Sequence, residues 1–92
     1  MFTVYILYSE KYQKSYIGFT SNLEARLYSH NEMGHKGWTI KFRPWQLVFT
    51  ESFSLKSEAM SREKFLKTGQ GRQFVHLKIR DWLADRVVRI SA

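Results

Sequence analysis

A chain of 92 residues, 43% of them apolar and 16% aromatic, can build one modest core. This length excludes a second domain, and this composition excludes a chain that is disordered as a whole. Cysteine is absent, which excludes disulfides and thiolate metal sites, and neither a membrane span nor a signal peptide is evident, so we expect a cytoplasmic protein without membrane contact. The net charge of +7, from 15 Lys and Arg against 8 Asp and Glu, favours nucleic acid as partner, although solubility alone would also account for it.

Two runs rich in β-branched and aromatic residues, 2–8 and 15–19, flank a polar segment and predict a β-hairpin. Because side chains alternate between the faces of a strand, a hairpin loop of even length places Tyr5 and Tyr16 on the same face. Two such phenols could belong to an active site or could be ordinary strand residues.

A capping box formed by Ser21 and Glu24 predicts that the first helix starts near residue 22 and runs to about residue 33. Leu23 and Leu27 define its buried stripe.

A basic pair, Arg26 and His30, lies one turn apart on the same side of this helix. Packing explains such a pair poorly, although Arg26 could extend along the surface and His30 could be a hydrogen-bonded core residue.

The remaining pattern predicts a loop over 34–44, a strand over 45–53, helices over 55–68 and 72–85, and a tail over 86–92. Ser54 is the expected cap of the second helix. The predicted order is therefore β-β-α-β-α-α, an α/β (α+β) fold with one domain over 1–85 and a short C-terminal tail.

One carboxylate, Glu63, falls within the predicted apolar stripe of the second helix, whose members are Leu55, Ala59, Met60 and Leu66. A carboxylate on a core-facing side needs compensation for its lost hydration. A salt bridge, for example to Arg26, or a bound metal ion would supply it.

The ordered set of residues resembles the GIY-YIG endonuclease family, in its small single-domain bacterial form. The most specific match is the segment 16–23, which begins Tyr-Ile-Gly, and it is followed by the residues Arg26, Leu27, His30, Asn31, Ala59, Arg62, Glu63, Lys64 and Lys67. The resemblance covers nearly the whole chain and implies a three-stranded antiparallel sheet flanked by helices.

The resemblance also implies metal-dependent hydrolysis of phosphodiester bonds in nucleic acid, with DNA as the expected substrate. Glu63 would hold one Mg²⁺ or Mn²⁺ ion, since Mg²⁺ often binds only one or two carboxylates. Tyr5, with Tyr16 beside it, would activate or orient water, Arg26 would clamp the phosphate, and His30 would relay a proton or donate to the phosphate. Further contacts to nucleic acid are expected from Gly18, Lys36, Lys41, Lys67 and Arg72.

The chain departs from the family pattern at two places. Thr3 replaces the usual first glycine, and the asparagine that often follows the metal glutamate is absent, with Gln70 and Gln73 as possible substitutes. We expect no additional DNA-binding domain, so two other functions stay open: a non-catalytic nucleic-acid-binding or adaptor module, and a catalytic subunit whose specificity comes from a protein partner. The sequence leaves the choice between DNA and RNA open, and also the oligomeric state.

Overall fold

Three strands and three α-helices follow one another in the order that the sequence predicts. The computed structural model describes residues 1–32 and 37–91, the last five by their backbone. The elements are β1 (Phe2–Ser9), β2 (Lys14–Thr20), α1 (Leu23–Glu32), a 3-10 helix (Trp38–Phe42), β3 (Gln46–Phe53), α2 (Lys56–Leu66) and α3 (Gly69–Ser91). The predicted α+β class is confirmed.

The strands form one antiparallel sheet in the order β2-β1-β3, so that β1 is central and β2 is an outer strand. In the hairpin register Tyr5 lies opposite Gly18, and Tyr16 lies opposite Leu7. Opposite residues share a face, and residues two apart on a strand do so as well. The two phenols therefore lie on one face, as predicted.

Helices cover both faces of this sheet. On one face, α2 and α3 bury an apolar cluster of Val4, Ile6, Ile17, Ala59, Leu66, Val75 and Ile79. On the other, a smaller cluster of Tyr5, Leu7 and Trp45 packs against side chains of α1 and the 3-10 helix. The phenols thus belong to the α1 side, and they have aromatic neighbours rather than an aliphatic core.

Val48 interrupts the alternation of β3 because it is the extra residue of a bulge. Ile6 of β1 pairs with Phe49, but the next residue, Leu7, pairs with Leu47, so Val48 has no partner. The broken alternation therefore reflects a shift in strand register.

The first helix starts one residue later than the predicted capping box. The Oδ1 of Asn22 accepts a hydrogen bond of 3.1 Å from the Ala25 N–H, so Asn22 is the N-cap in place of Ser21. Thr20 Oγ1 accepts a 3.0 Å bond from the Asn22 N–H, which ties the end of β2 to the cap. This tight link places Arg26 one turn from the outer strand.

The second helix buries fewer residues than its apolar pattern predicts. Ala59 and Leu66 are fully buried, but Leu55 and Met60 are 58% and 42% exposed. The predicted Ser54 cap is also wrong, because Leu55 is the N-cap of this helix, and its N–H donates a 3.3 Å hydrogen bond to the Glu58 carboxylate. The contact face of α2 is therefore narrow.

The third helix starts at Gly69 and continues through the segment 86–91, which the sequence leaves undecided between helix and strand. Its second glycine, Gly71, lies against the end of α2, where a Cβ would come within 1.9 Å of the Phe65 carbonyl oxygen. Close approach of the two helices thus requires glycine there. Among the described residues, no helix combines the length and apolar character of a membrane span.

Candidate active site

Four of the five residues predicted to act in catalysis or metal binding line one cavity of about 420 Å³ along β2. Tyr5 comes from β1, Tyr16 from β2, Arg26 from α1 and Glu63 from α2. Since α1 and α2 cover opposite faces of the sheet, the cavity lies where the two helical layers meet, beside β2. The convergence of side chains that are distant in sequence is thus present in the fold.

His30 lies behind this cavity and reaches it through Tyr5. Its Nε2 is 3.0 Å from the Tyr5 hydroxyl, and its ring centroid is 4.7 Å from that of Tyr16. The two phenol rings stack with centroids 6.3 Å apart. His30 itself is buried and is not among the residues that line the cavity. Its position therefore favours proton exchange with Tyr5 over direct contact with a phosphate.

Burial shifts the pKa values of both partners in this hydrogen bond. Loss of hydration raises the pKa of Tyr5 well above its ordinary value, the Tyr16 and Glu63 charges raise it further, and Arg26 opposes them. Loss of hydration also lowers the pKa of His30, and the positive charges of Arg26 and Arg43 add to that effect. At neutral pH the pair is therefore a protonated phenol beside a neutral imidazole.

Hydrogen bonds at the end of α1 hold His30 in place. The side chain of Asn31 accepts from the Trp45 N–H at 2.6 Å and donates to the Trp45 carbonyl at 3.0 Å. The Arg43 side chain donates to the carbonyl oxygen of His30 at 2.6 Å and to that of Ser29 at 3.2 Å. Backbone carbonyls that the helix leaves unpaired are thus satisfied, and α1 is tied to the segment before β3.

Gly18 makes room for the Tyr5 phenol. A Cβ at this position would lie 2.5 Å from the Tyr5 hydroxyl oxygen and 3.1 Å from a ring carbon of Tyr16. The pairing of β1 with β2 is regular through Gly18, so the glycine does not mark a bulge. Gly18 also lines the cavity, but the space beside its Cα is filled by Tyr5.

Glu63 pairs with Lys67 one turn further along α2, at 3.1 Å, rather than with Arg26. Its side chain keeps 21% exposure, and no group of three or more metal-ligating side chains is found among the described residues. A single carboxylate at an open cavity fits Mg²⁺, which keeps several waters, and does not fit a zinc site. The residues therefore suit one hard divalent ion on Glu63, for which Lys67 is a competing cation.

The comparison with known proteins decides the family. The GIY-YIG catalytic domain matches residues 1–74 of this chain. The chain belongs to the GIY-YIG family. The nuclease-type fold implied by that membership agrees with the sheet and helices described above.

Related bacterial proteins of similar size carry UPF0213 names. UPF0213 protein SH2523 of Staphylococcus haemolyticus is 47% identical over 58 residues, which are 63% of this chain and 71% of that protein. UPF0213 protein YazA of Bacillus subtilis is 42% identical over 56% of this chain and 52% of its own length. UPF0213 protein CPE1444 of Clostridium perfringens is 42% identical over 70% of this chain and 68% of its own length. No solved structure matches this GIY-YIG chain.

Lys56, at the start of α2, also lines the cavity and was not identified from the sequence. It lies seven residues before Glu63, two helical turns away on the same side of α2. The seven-residue spacing from Glu63 is the sequence feature that indicates a shared site. It is a weak indication, because a lysine in a helix rich in charged residues is usually a solvated surface residue. Among the described residues, the cations that line this cavity of the GIY-YIG domain are Lys56 and Arg26.

Apart from Gly18, which lines the first cavity, the predicted nucleic-acid contacts divide into three groups. Lys67 and Arg72 line a second cavity next to the first. Lys41 is exposed on the 3-10 helix and lines neither cavity, and Lys36 lies outside the described residues. The candidate asparagine substitutes, Gln70 and Gln73, are exposed on α3 and are not among the lining residues of the first cavity.

Proposed function

We propose that this GIY-YIG domain is a divalent-metal-dependent endonuclease that hydrolyses phosphodiester bonds of nucleic acid, with DNA as the expected substrate, in the cytoplasm. The observation that carries the proposal is the cavity shared by Tyr5, Tyr16, Arg26 and Glu63, with His30 bonded to Tyr5 behind it. A protein that only bound nucleic acid would gain nothing from a carboxylate in this cavity, because the charge of Glu63 repels phosphate and its ion pair with Lys67 occupies a cation that could bind phosphate.

Tyr5 and His30 would move the proton of the attacking water. Tyr5 forms the floor of the cavity, with 1% of its surface exposed, so water meets its hydroxyl only from within the cavity. As the water attacks phosphorus, its proton passes to the Tyr5 oxygen while the phenol passes its own proton to Nε2 of His30. The transfer requires a neutral ring with its proton on Nδ1, and the lowered pKa of His30 keeps the ring neutral.

Arg26 and Lys56 would bind the phosphate that is attacked. No ion pair joins Arg26 to a carboxylate in the described part of the chain, so its guanidinium can bind phosphate oxygens in a bidentate manner. As negative charge develops on those oxygens, both cations stabilise it. Glu63 would hold one Mg²⁺ or Mn²⁺ ion, which supplies further stabilisation of that charge when bound.

Cleavage of plasmid, linear duplex, flapped and single-stranded DNA and of RNA, with Mg²⁺, Mn²⁺ or EDTA, tests this proposal. We expect metal-dependent cutting that Tyr5→Phe and Arg26→Ala each reduce at least a hundredfold. Tyr28→Phe is the matched control, since Tyr28 lies 58% exposed on α1 and should cut normally. Nucleic-acid binding without cutting would support a binding module instead, and cutting only after cell extract is added would indicate a required protein partner.

A further inference from the structure

A second cavity of about 520 Å³ lies beside the candidate active site and shares Tyr16 with it. Its volume falls within the range of about 300–1,000 Å³ that is usual for small-molecule sites. The ion pair between Glu63 of the first cavity and Lys67 of the second is another link between them. A polymer with one phosphate in the first cavity would therefore continue into the second.

The second cavity has a strongly basic lining. Lys14 comes from β2, Lys67 follows α2, and Arg72 and His76 come from α3. No acidic side chain is among the described residues that line it, although Lys67 forms an ion pair with Glu63, which lines the first cavity. Such a lining attracts an anion that carries more than one charge, as successive phosphates do.

An aromatic ring stands at the same cavity. Trp38 lines it and is 48% exposed, while its ring packs on Phe42 and Trp45 at centroid distances of 4.7 and 5.7 Å. The contacts hold the indole in place and leave about half of its surface open. A rigid, open indole beside cations is the combination that stacks nucleobases along a single strand.

We infer that the second cavity binds an unpaired nucleotide next to the phosphate that is cleaved, with its base on Trp38 and its phosphates on Lys67, Arg72 and Lys14. A base within a duplex is already stacked and exposes only its edges, so it cannot cover the indole face. The form of nucleic acid that fits is therefore a single-stranded segment. The location of the cleaved phosphate rests on the proposed function, but the binding of an unpaired strand does not.

Binding without cleavage tests this assignment. Fluorescein-labelled 12-nucleotide single strands of DNA and RNA, and a blunt DNA duplex, are titrated in EDTA by fluorescence anisotropy. Trp38→Ala should weaken single-strand binding at least fivefold, since a stacked base contributes that much or more, and duplex binding should change less than twofold. Trp38→Phe should recover most of the loss, because it keeps an aromatic ring.

The cationic part of the site has its own variant and control. Arg72→Ala should weaken single-strand binding and lower the slope of its salt dependence by about 0.7. Lys64→Ala removes one charge from α2 outside both cavities and should leave single-strand affinity within about twofold of the wild type. Photocrosslinking of wild-type protein to a 5-iodouracil strand should label Trp38 or Tyr16, and this readout needs no variant.

Equal single-strand affinity of wild type and Trp38→Ala, or crosslinks confined to other parts of the chain, would overturn the assignment. Either result could occur while Tyr5→Phe still abolishes cutting, in which case the proposed function stands and only the second cavity lacks the inferred role. Conversely, Trp38-dependent binding in a protein that never cuts would refute the endonuclease and leave the strand-binding site. Trp38-dependent binding of single-stranded DNA, of single-stranded RNA or of both supports the inference, and binding of neither contradicts it.

Discussion

Replacing Gly18 with alanine should damage the site mainly through Tyr5. The added methyl carbon would lie 2.5 Å from the Tyr5 hydroxyl oxygen and 2.7 Å from the ring carbon that bears it, where ordinary contacts begin at 3.4 Å. Tyr5 is almost completely buried, and its hydroxyl is hydrogen-bonded to His30, so it cannot swing into solvent. The phenol must move by roughly 1 Å, and a displacement of that size costs about a hundredfold in rate when it misplaces a reacting group.

The same substitution should lower the free energy of unfolding. Overpacking a buried site costs about 1–3 kcal/mol. Replacing glycine by alanine also removes freedom from the unfolded chain, which offsets about 0.4–1 kcal/mol of that cost. Because the clash is with a ring held on several sides, we expect the overpacking to exceed the offset and leave a net loss of about 1–2 kcal/mol.

Single-turnover cleavage and urea unfolding measure the two effects. Gly69→Ala is the matched control, since a Cβ there meets no atom within 4 Å. Its cleavage rate should match the wild type, and its free energy of unfolding should not fall, because only the gain of about 0.4–1 kcal/mol from the unfolded chain applies. In the double variant with Tyr5→Phe, the rate should equal that of Tyr5→Phe alone within a few-fold, because both changes act on one hydroxyl. A Gly18→Ala protein with wild-type rate and stability would refute the account of Tyr5, and additive rate losses would show that Gly18 acts elsewhere.

Three other changes test separate parts of the site. Lys56→Ala should lower the slope of the salt dependence of substrate binding by about one, and an unchanged slope would show that Lys56 contacts no phosphate. Because burial lowers the pKa of His30 in the folded chain, the unfolded chain takes up the proton first as the pH falls, so wild-type stability should decline below about pH 6.5. Urea unfolding at several pH values should show a smaller decline for His30→Gln, and parallel curves would contradict this reasoning. Lys67→Ala should tighten Mn²⁺ binding by up to about fivefold in calorimetry, since an exposed ion pair contributes at most about 1 kcal/mol, and weaker binding would show that Lys67 does not compete for Glu63.

The strand pattern predicted the central geometry of the fold. A period of two is rigid along a strand, so the shared face of Tyr5 and Tyr16 follows from the hairpin and an even loop. The four-residue segment between β1 and β2 meets that condition. The prediction is confirmed because it depends on local stereochemistry that tertiary packing does not change.

The helices were predicted less well because their buried faces depend on what packs against them. Leu55 and Met60 fit the apolar period of α2, but the sheet covers only the Ala59 side of that helix. The predicted and observed caps of α1 differ by one residue because the adjacent polar side chains of Ser21 and Asn22 can both cap a helix.

The partners of charged residues could not be predicted from spacing alone. Glu63 has Arg26 in the same cavity, yet its ion pair is with Lys67, which the i, i+4 spacing also permits. The choice depends on where α1 and α2 lie relative to each other, which is a property of the assembled fold. For the same reason, spacing alone did not predict that Trp38, Arg72 and Lys14 share one cavity.

Mg²⁺-dependent cleavage by Glu63→Gln tests the central claim most directly. This substitution keeps the size of the side chain and removes the only charge proposed to hold the ion. Glu24→Gln, a matched change at an exposed position of α1, controls for loss of net charge. The account predicts that an end-labelled oligonucleotide is cut by the wild type and by Glu24→Gln, and at least a hundredfold more slowly by Glu63→Gln. Equal cleavage by all three proteins would contradict it.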